Sequence, residues 1–134
     1  MELQVGVKIL LKNSKGKYLL QRRNPKKYLD AQIGWDVVGG RINPGTPLLE
    51  NLKREVYEET GLKLARIEKI LGVQDILRIQ DKHIVRITYL GEAMGKIVLD
   101  TDENTEFNWF TKDELNKIPK ENLDIYFAEL FNKI

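Results

Sequence analysis

Cysteine is absent from the 134 residues, which removes disulfide bridges, thiolate metal sites and cysteine nucleophiles together. Histidine occurs once, at His83, so a multi-histidine zinc site is excluded and a serine-histidine triad would depend on that one residue. Long apolar runs are missing too. Val7 to Leu11 is interrupted by Lys8 and falls far short of the roughly 20 residues that a membrane span requires. Neither charge is in large excess: 22 basic residues face 20 acidic ones, and a net +2 is too even to mark a nucleic-acid coat. Met1-Glu2-Leu3-Gln4 lacks the basic stretch and apolar run of a secretory signal. These absences point to a cytoplasmic chain with no membrane or nucleic-acid partner, in which any metal chemistry has to use carboxylates.

What is present belongs to an ordinary globular protein, 42% hydrophobic and 31% charged, and the length is that of one domain spanning residues 1–134. Basic residues gather at Arg22, Arg23, Lys26 and Lys27, and acidic ones between Asp100 and Glu106. Leu3 to Leu11 and Tyr18 to Arg23 flank the turn formers Asn13-Ser14-Lys15-Gly16-Lys17, which predicts a hairpin. Trp35 to Val38 reads as a short strand running into Gly39-Gly40, where the backbone can turn sharply or approach a ligand closely. Further strands are expected at Ala65 to Leu77, Ile84 to Ala93, Lys96 to Leu99 and Glu106 to Phe110. Thr111 and Glu114 have capping-box spacing, and a last amphipathic helix is expected from about Asn122 to Phe131. The pattern is α+β, with a mixed β-sheet packed by helices as the simplest architecture.

The clearest helix begins after Thr46, a candidate N-cap, with Pro47 at its first position and Gly61 as a left-handed stop. With Leu48 at zero on a helical wheel, Leu52, Val56 and Leu49 fall within roughly the next 100° and form the expected buried stripe. Glu59 lies between Leu48 and Leu52, Glu55 beside Leu48, and Glu58 about 60° further round. A Glu-rich helix is ordinarily a solvated face balanced by basic neighbours. Here Lys53 lies on the far side, and Glu59 stands where such a helix would carry Leu or Ala. Burying carboxylates of like charge is costly, and a hard divalent cation is the natural compensation.

The segment from Gly40 to Leu62 resembles the signature of the Nudix, or MutT-like, hydrolases: Gly, five residues, Glu, seven residues, then Arg-Glu-apolar-x-Glu-Glu-x-Gly-apolar. Eight of the nine specified positions match, including Arg54, Glu55, Glu58, Glu59 and Gly61. Thr46 departs from the pattern, standing where the first glutamate is expected, and Val38 replaces a proline common before the glycine pair. The leading hairpin, the Trp35 to Gly40 approach, and Glu106 and Trp109 before a capped helix also resemble the family, so the likeness covers nearly the whole chain. It implies an α/β/α sandwich and hydrolysis of a pyrophosphate bond with Mg²⁺ or Mn²⁺. It implies too that Glu55, Glu58, Glu59 and the Gly39 carbonyl hold metal, and that Arg54 orients a glutamate through a salt bridge.

The substrate implied is a small nucleotide-type diphosphate: a nucleoside triphosphate, ADP-ribose, a nucleotide sugar or a dinucleoside polyphosphate. A non-catalytic nucleotide-binding or sensor module is the alternative, which Thr46 favours and the retained box opposes. Glu106 leads as a general base outside the box, with Glu103 second. Arg22, Arg23, Gly40 and Arg41 are candidate substrate contacts, although strand alternation lets only one of Arg22 and Arg23 face the site. Trp35 and Trp109 read as core, and His83 as a surface or packing residue. The expected state is monomer or homodimer.

Overall fold

The computed structural model describes residues 1–23, 34–98 and 105–134. Strands β1 (Glu2–Lys12) and β2 (Tyr18–Arg23) form the expected hairpin, with Leu11 opposite Leu19. The Asn13 side chain shapes its turn by accepting the Lys15 and Lys17 N–H groups. Next come β3 (Val38–Arg41), α1 (Leu48–Thr60), β4 (Lys63–Ile76), β5 (Lys82–Met94), β6 (Thr105–Phe110), α2 (Lys112–Lys117) and α3 (Ile125–Glu129). The sheet runs β4-β5-β1-β2-β6, and β3 adds to the β1 edge beside β2. The β1–β5 pair is parallel and the others antiparallel, so the sheet is mixed.

Alternation along β1 divides the core into two layers. Val7, Ile9 and Leu11 join Leu52 and Val56 of α1, whereas Leu10 joins Leu115, Phe127 and Leu130 on the opposite face. Helices therefore cover both sides of the sheet, giving the α/β/α sandwich. Leu52 and Val56 are fully buried, which contributes roughly 3–6 kcal/mol to holding α1 in place.

Several local expectations are corrected. Thr46 does not cap α1: Pro47 occupies the N-cap position, so the helix starts at Leu48, one residue later than expected, and no side chain caps it. Leu49 is 47% exposed, and fully buried Asn51 takes its share of the helix face. The stop is as expected, with Gly61 at φ 78° donating its N–H to the Tyr57 carbonyl. Lys96 to Val98 form no strand; instead Val98 N–H caps the Thr60 carbonyl at 2.8 Å, and Leu99 lies outside the described residues. The last helix is shorter than expected because Leu123 is extended and bridges to Trp35, leaving Asp124 to cap α3. The Thr111 capping box forms as expected. Among the described residues no helix is long and apolar enough to cross a membrane.

Candidate active site

The site is built where β3 runs between β1 and α1. Lys8 pairs with Gly39 and Val7 with Gly40, so the glycine pair lies flat against β1. Gly39 has φ +142°, and a Cβ there would sit 2.1 Å from the Val7 carbonyl oxygen and 2.6 Å from Lys8 Cα. Only glycine fits that backbone. The reward is a close approach to α1 from the other side: Gly39 N–H donates to Glu59 Oε2 at 2.8 Å. At Gly40 a Cβ would stand 2.8–2.9 Å from the carboxyl atoms of Glu55. Bare backbone thus meets two carboxylates that lie one turn apart on the same face of α1.

Both carboxylates are energetically exposed to their surroundings. Burial pushes the Glu59 carboxyl up to about 7, against the opposing pull of the Gly39 N–H and Lys8. Burial also raises Glu55, with Arg54 opposing it and Glu58 adding to it. A carboxylate raised in this way lacks sufficient positive charge nearby. Glu58 is more open, at 57% side-chain exposure, and faces Arg54 Nη1 at 3.5 Å; Arg54 Nη2 reaches Glu55 Oε1 at 3.3 Å. As they stand Arg54 holds Glu55 and Glu58 while the Gly39 N–H holds Glu59, and among the described residues no three acidic or histidine groups converge on one point. Their chemistry nevertheless fits a hard cation: all-oxygen donors on consecutive turns, under-compensated, beside a backbone that leaves no side chain in the way.

Two contributors escaped sequence reasoning. Asn51 accepts from Asn43 N–H and from Arg54 Nη2, and donates to the Thr46 and Pro47 carbonyls, all within 3.0 Å. An asparagine inside a helix is a weak helix former, and that was its one available signal. Lys8 bonds Asp36 at 2.8 Å and the Val37 carbonyl at 3.3 Å beneath β3, interrupting an apolar strand that otherwise reads as core.

The remaining candidates lie elsewhere. Arg41 is exposed at the end of β3, beyond the glycine pair. Arg22 and Glu106 are paired across β2 and β6 and joined by an ion pair of 2.7 Å. They share the sheet face of Leu20 and Phe110, which pack with α2 and α3, so the structure does not bring Glu106 to the α1 carboxylates. Arg22 also stacks over Trp35 at 4.6 Å, and Trp35 meets Phe110 edge-on, a partly buried core position as expected. Trp109 packs against the α1-side core. His83 is a surface residue bonded to Asp75 at 2.7 Å. The Arg23 side chain, Lys26, Lys27 and Glu103 lie outside the described residues. An open groove of about 670 Å³, lined by Gly34, Leu123, Asp124 and Ile125 among others, contains no box residue.

This geometry agrees with what the chain is similar to. The NUDIX domain model matches residues 2–131. A Bacillus subtilis (strain 168) protein with the provisional name 8-oxo-dGTP diphosphatase is 31% identical over 111 residues, covering 82% of this chain and 68% of its own. The crystal structure of a MutT protein from Methanosarcina mazei Go1 superposes with a TM-score of 0.77 at 27% identity, over 98% of this chain and 92% of that one. A MutT NUDIX hydrolase from Burkholderia pseudomallei, 23% identical, shares the fold with a TM-score of 0.79 over 100% and 99% of the two chains. The chain belongs to the Nudix family. It is a pyrophosphohydrolase of the MutT-like kind, and enzymes of this family generally use divalent cations and act on small nucleotides.

Gly40 offers a local check on the site. In Gly40→Ala the new methyl collides with the end of the Glu55 side chain and not with backbone, so the fold should adapt. Calorimetry should find Tm within a few degrees of wild type. Turnover should fall about 10–100-fold as Glu55 is displaced.

Proposed function

We propose that this chain hydrolyses the pyrophosphate bond of a nucleoside diphosphate derivative in a reaction dependent on Mg²⁺ or Mn²⁺. The observation that carries the reading is the meeting of Glu55 and Glu59, both raised by burial, with the bare Gly39-Gly40 backbone. Glu55, Glu58 and Glu59, with the Gly39 carbonyl, would hold the cation. When bound there, a divalent ion neutralises phosphate oxygens and lowers the pKa of a water. Arg54 keeps Glu55 and Glu58 oriented through its two guanidinium nitrogens. Arg41, exposed at the end of β3, is the residue we assign to the substrate's phosphates. Gly40, without a side chain, leaves the space that the Glu55 carboxyl occupies.

Glu106 we assign to a different task from that of base. Its carboxylate is engaged by Arg22, which in turn lies over Trp35, so the pair braces the strand edge. The base is then one of the box carboxylates, and Glu106→Gln should leave the pH profile of kcat/KM unchanged; loss of its acidic limb would return Glu106 to that role.

The substrate most directly supported is a nucleoside triphosphate, since 8-oxo-dGTP diphosphatase is the name the Bacillus subtilis relative carries. The test is a product screen over 8-oxo-dGTP, unmodified nucleoside triphosphates, ADP-ribose and nucleotide sugars, with Mg²⁺, with Mn²⁺ and with chelator. Cleavage of a nucleoside triphosphate to monophosphate and pyrophosphate, abolished by chelator, is the expected result. Nucleotide binding without turnover on any substrate would establish a sensor module in its place.

A further inference from the structure

Asn51 is the most fully engaged buried polar side chain on α1, yet it stands at a position where the box pattern specifies no residue type. It has 0% exposure and spends its whole bonding capacity in two directions. Toward the loop, its Nδ2 donates to the Thr46 and Pro47 carbonyls, both at 2.9 Å, and its Oδ1 accepts the Asn43 N–H at 2.9 Å. Toward the helix, the same Oδ1 accepts from Arg54 Nη2 at 3.0 Å. That guanidinium group then reaches Glu55 and Glu58. Thr46, which replaces the expected glutamate, contributes its backbone carbonyl and no side-chain bond among the described residues.

We infer that Asn51 is a positioning residue for the reaction: it fixes the loop ahead of α1 and sets the Arg54 guanidinium that orients Glu55 and Glu58. Arg54 is a long side chain, 34% exposed, and its placement needs a fixed acceptor. A neutral amide supplies one without adding a further negative charge beside the carboxylates. Because one oxygen serves both the loop and Arg54, losing Asn51 disturbs both together, whereas losing Arg54 leaves the loop bonds in place. This inference rests on the active site proposed above.

The experiment compares wild type, Asn51→Ala, Asn51→Asp, Arg54→Ala and the Asn51→Ala/Arg54→Ala pair, measuring kcat and KM on the best substrate of the product screen with Mg²⁺. Asn51→Ala should lower kcat about 10–100-fold, the usual range for losing a partner of a site residue, with KM changed less than about threefold. Asn51→Asp keeps the acceptor for Asn43 and Arg54 but loses both donors to the Thr46 and Pro47 carbonyls and adds a buried negative charge, so it should stay at least about tenfold below wild type. In the Arg54→Ala background the Asn51→Ala change should cost at least about threefold less than in wild type, because the part of its effect that passes through Arg54 has already been removed. Multiplicative losses in the pair, or unchanged kcat in Asn51→Ala, would overturn the inference. Amide hydrogen exchange gives a readout independent of turnover: the Asn43 N–H should exchange at least about tenfold faster in Asn51→Ala and stay protected in Arg54→Ala. Equal protection of Asn43 in all proteins would likewise overturn it. Wild-type protein without turnover would count against the proposed function, and the exchange comparison alone would then decide on Asn51.

Discussion

Replacing Glu59 with glutamine is expected to reduce turnover by about 100-fold or more while leaving the fold intact. Loss of a group that merely supports a metal ligand already costs about 10–100-fold, and Glu59 is assigned to the ligand set itself. Glutamine has the same shape, and its carbonyl oxygen can still accept the Gly39 N–H, so the helix should not move. The same variant carries a pH signature in the metal-free protein. The folded Glu59 carboxyl is raised to about 7 by burial, from an ordinary 4.5. Between those values the folded state holds a proton that the unfolded chain releases, so its contribution to stability is full below about pH 4.5 and is lost as pH rises through about 7. The decline amounts to roughly 3 kcal/mol, or about 10 °C in Tm, by pH 8. Thermal unfolding from pH 5 to 8 in chelator should show this decline in wild type and a flatter curve in Glu59→Gln. Parallel curves would remove Glu59 from its buried, under-compensated position.

Gly39→Ala should have the largest effect on stability. The added Cβ would lie 2.1 Å from the Val7 carbonyl oxygen, and the φ of +142° is one that side-chain-bearing residues rarely adopt. Neither obstacle is a movable side chain; both belong to backbone inside the β1–β3 pairing. Backbone strain costs about 1–3 kcal/mol and overpacking about as much again, so a loss near 4 kcal/mol is expected from a total of about 5–15. Denaturant unfolding should give a midpoint far below that of Gly40→Ala, where the obstacle is the end of a side chain. Equal midpoints for the two alanine variants would show that β3 shifts away from β1 at little cost.

The contrast between these glycines shows what can be read from sequence. A glycine pair after a strand announces a close approach, but not to what: at Gly39 the neighbour is β1 backbone, at Gly40 a glutamate of α1. The helix itself was legible because its stop signal and apolar spacing are local, and the wheel placed Glu59 among buried neighbours from spacing alone. Its start was misread because Pro47 at the N-cap offers no side-chain acceptor, and the loop ahead of it is held instead by Asn51, whose partners are loop backbone groups that no local rule links to it. The surroundings of Glu106 were not legible for a related reason. Phe107, Trp109 and Phe110 put aromatics on both faces of β6, so alternation could not say which face held the carboxylate until pairing with Arg22 was known. The final helix failed at its start because Leu123 pairs with Trp35, a contact 88 residues distant in the chain that overrides helical spacing.

The central claim is that the carboxylates of α1 hold the divalent cation on which hydrolysis depends. Electron paramagnetic resonance of Mn²⁺ titrated into wild type, Glu55→Gln and Glu59→Gln tests it most directly, because free Mn²⁺ gives a strong signal that disappears on binding. Wild type should take up the ion, and each variant should bind it at least about tenfold more weakly. Equal uptake by all three proteins would contradict the claim.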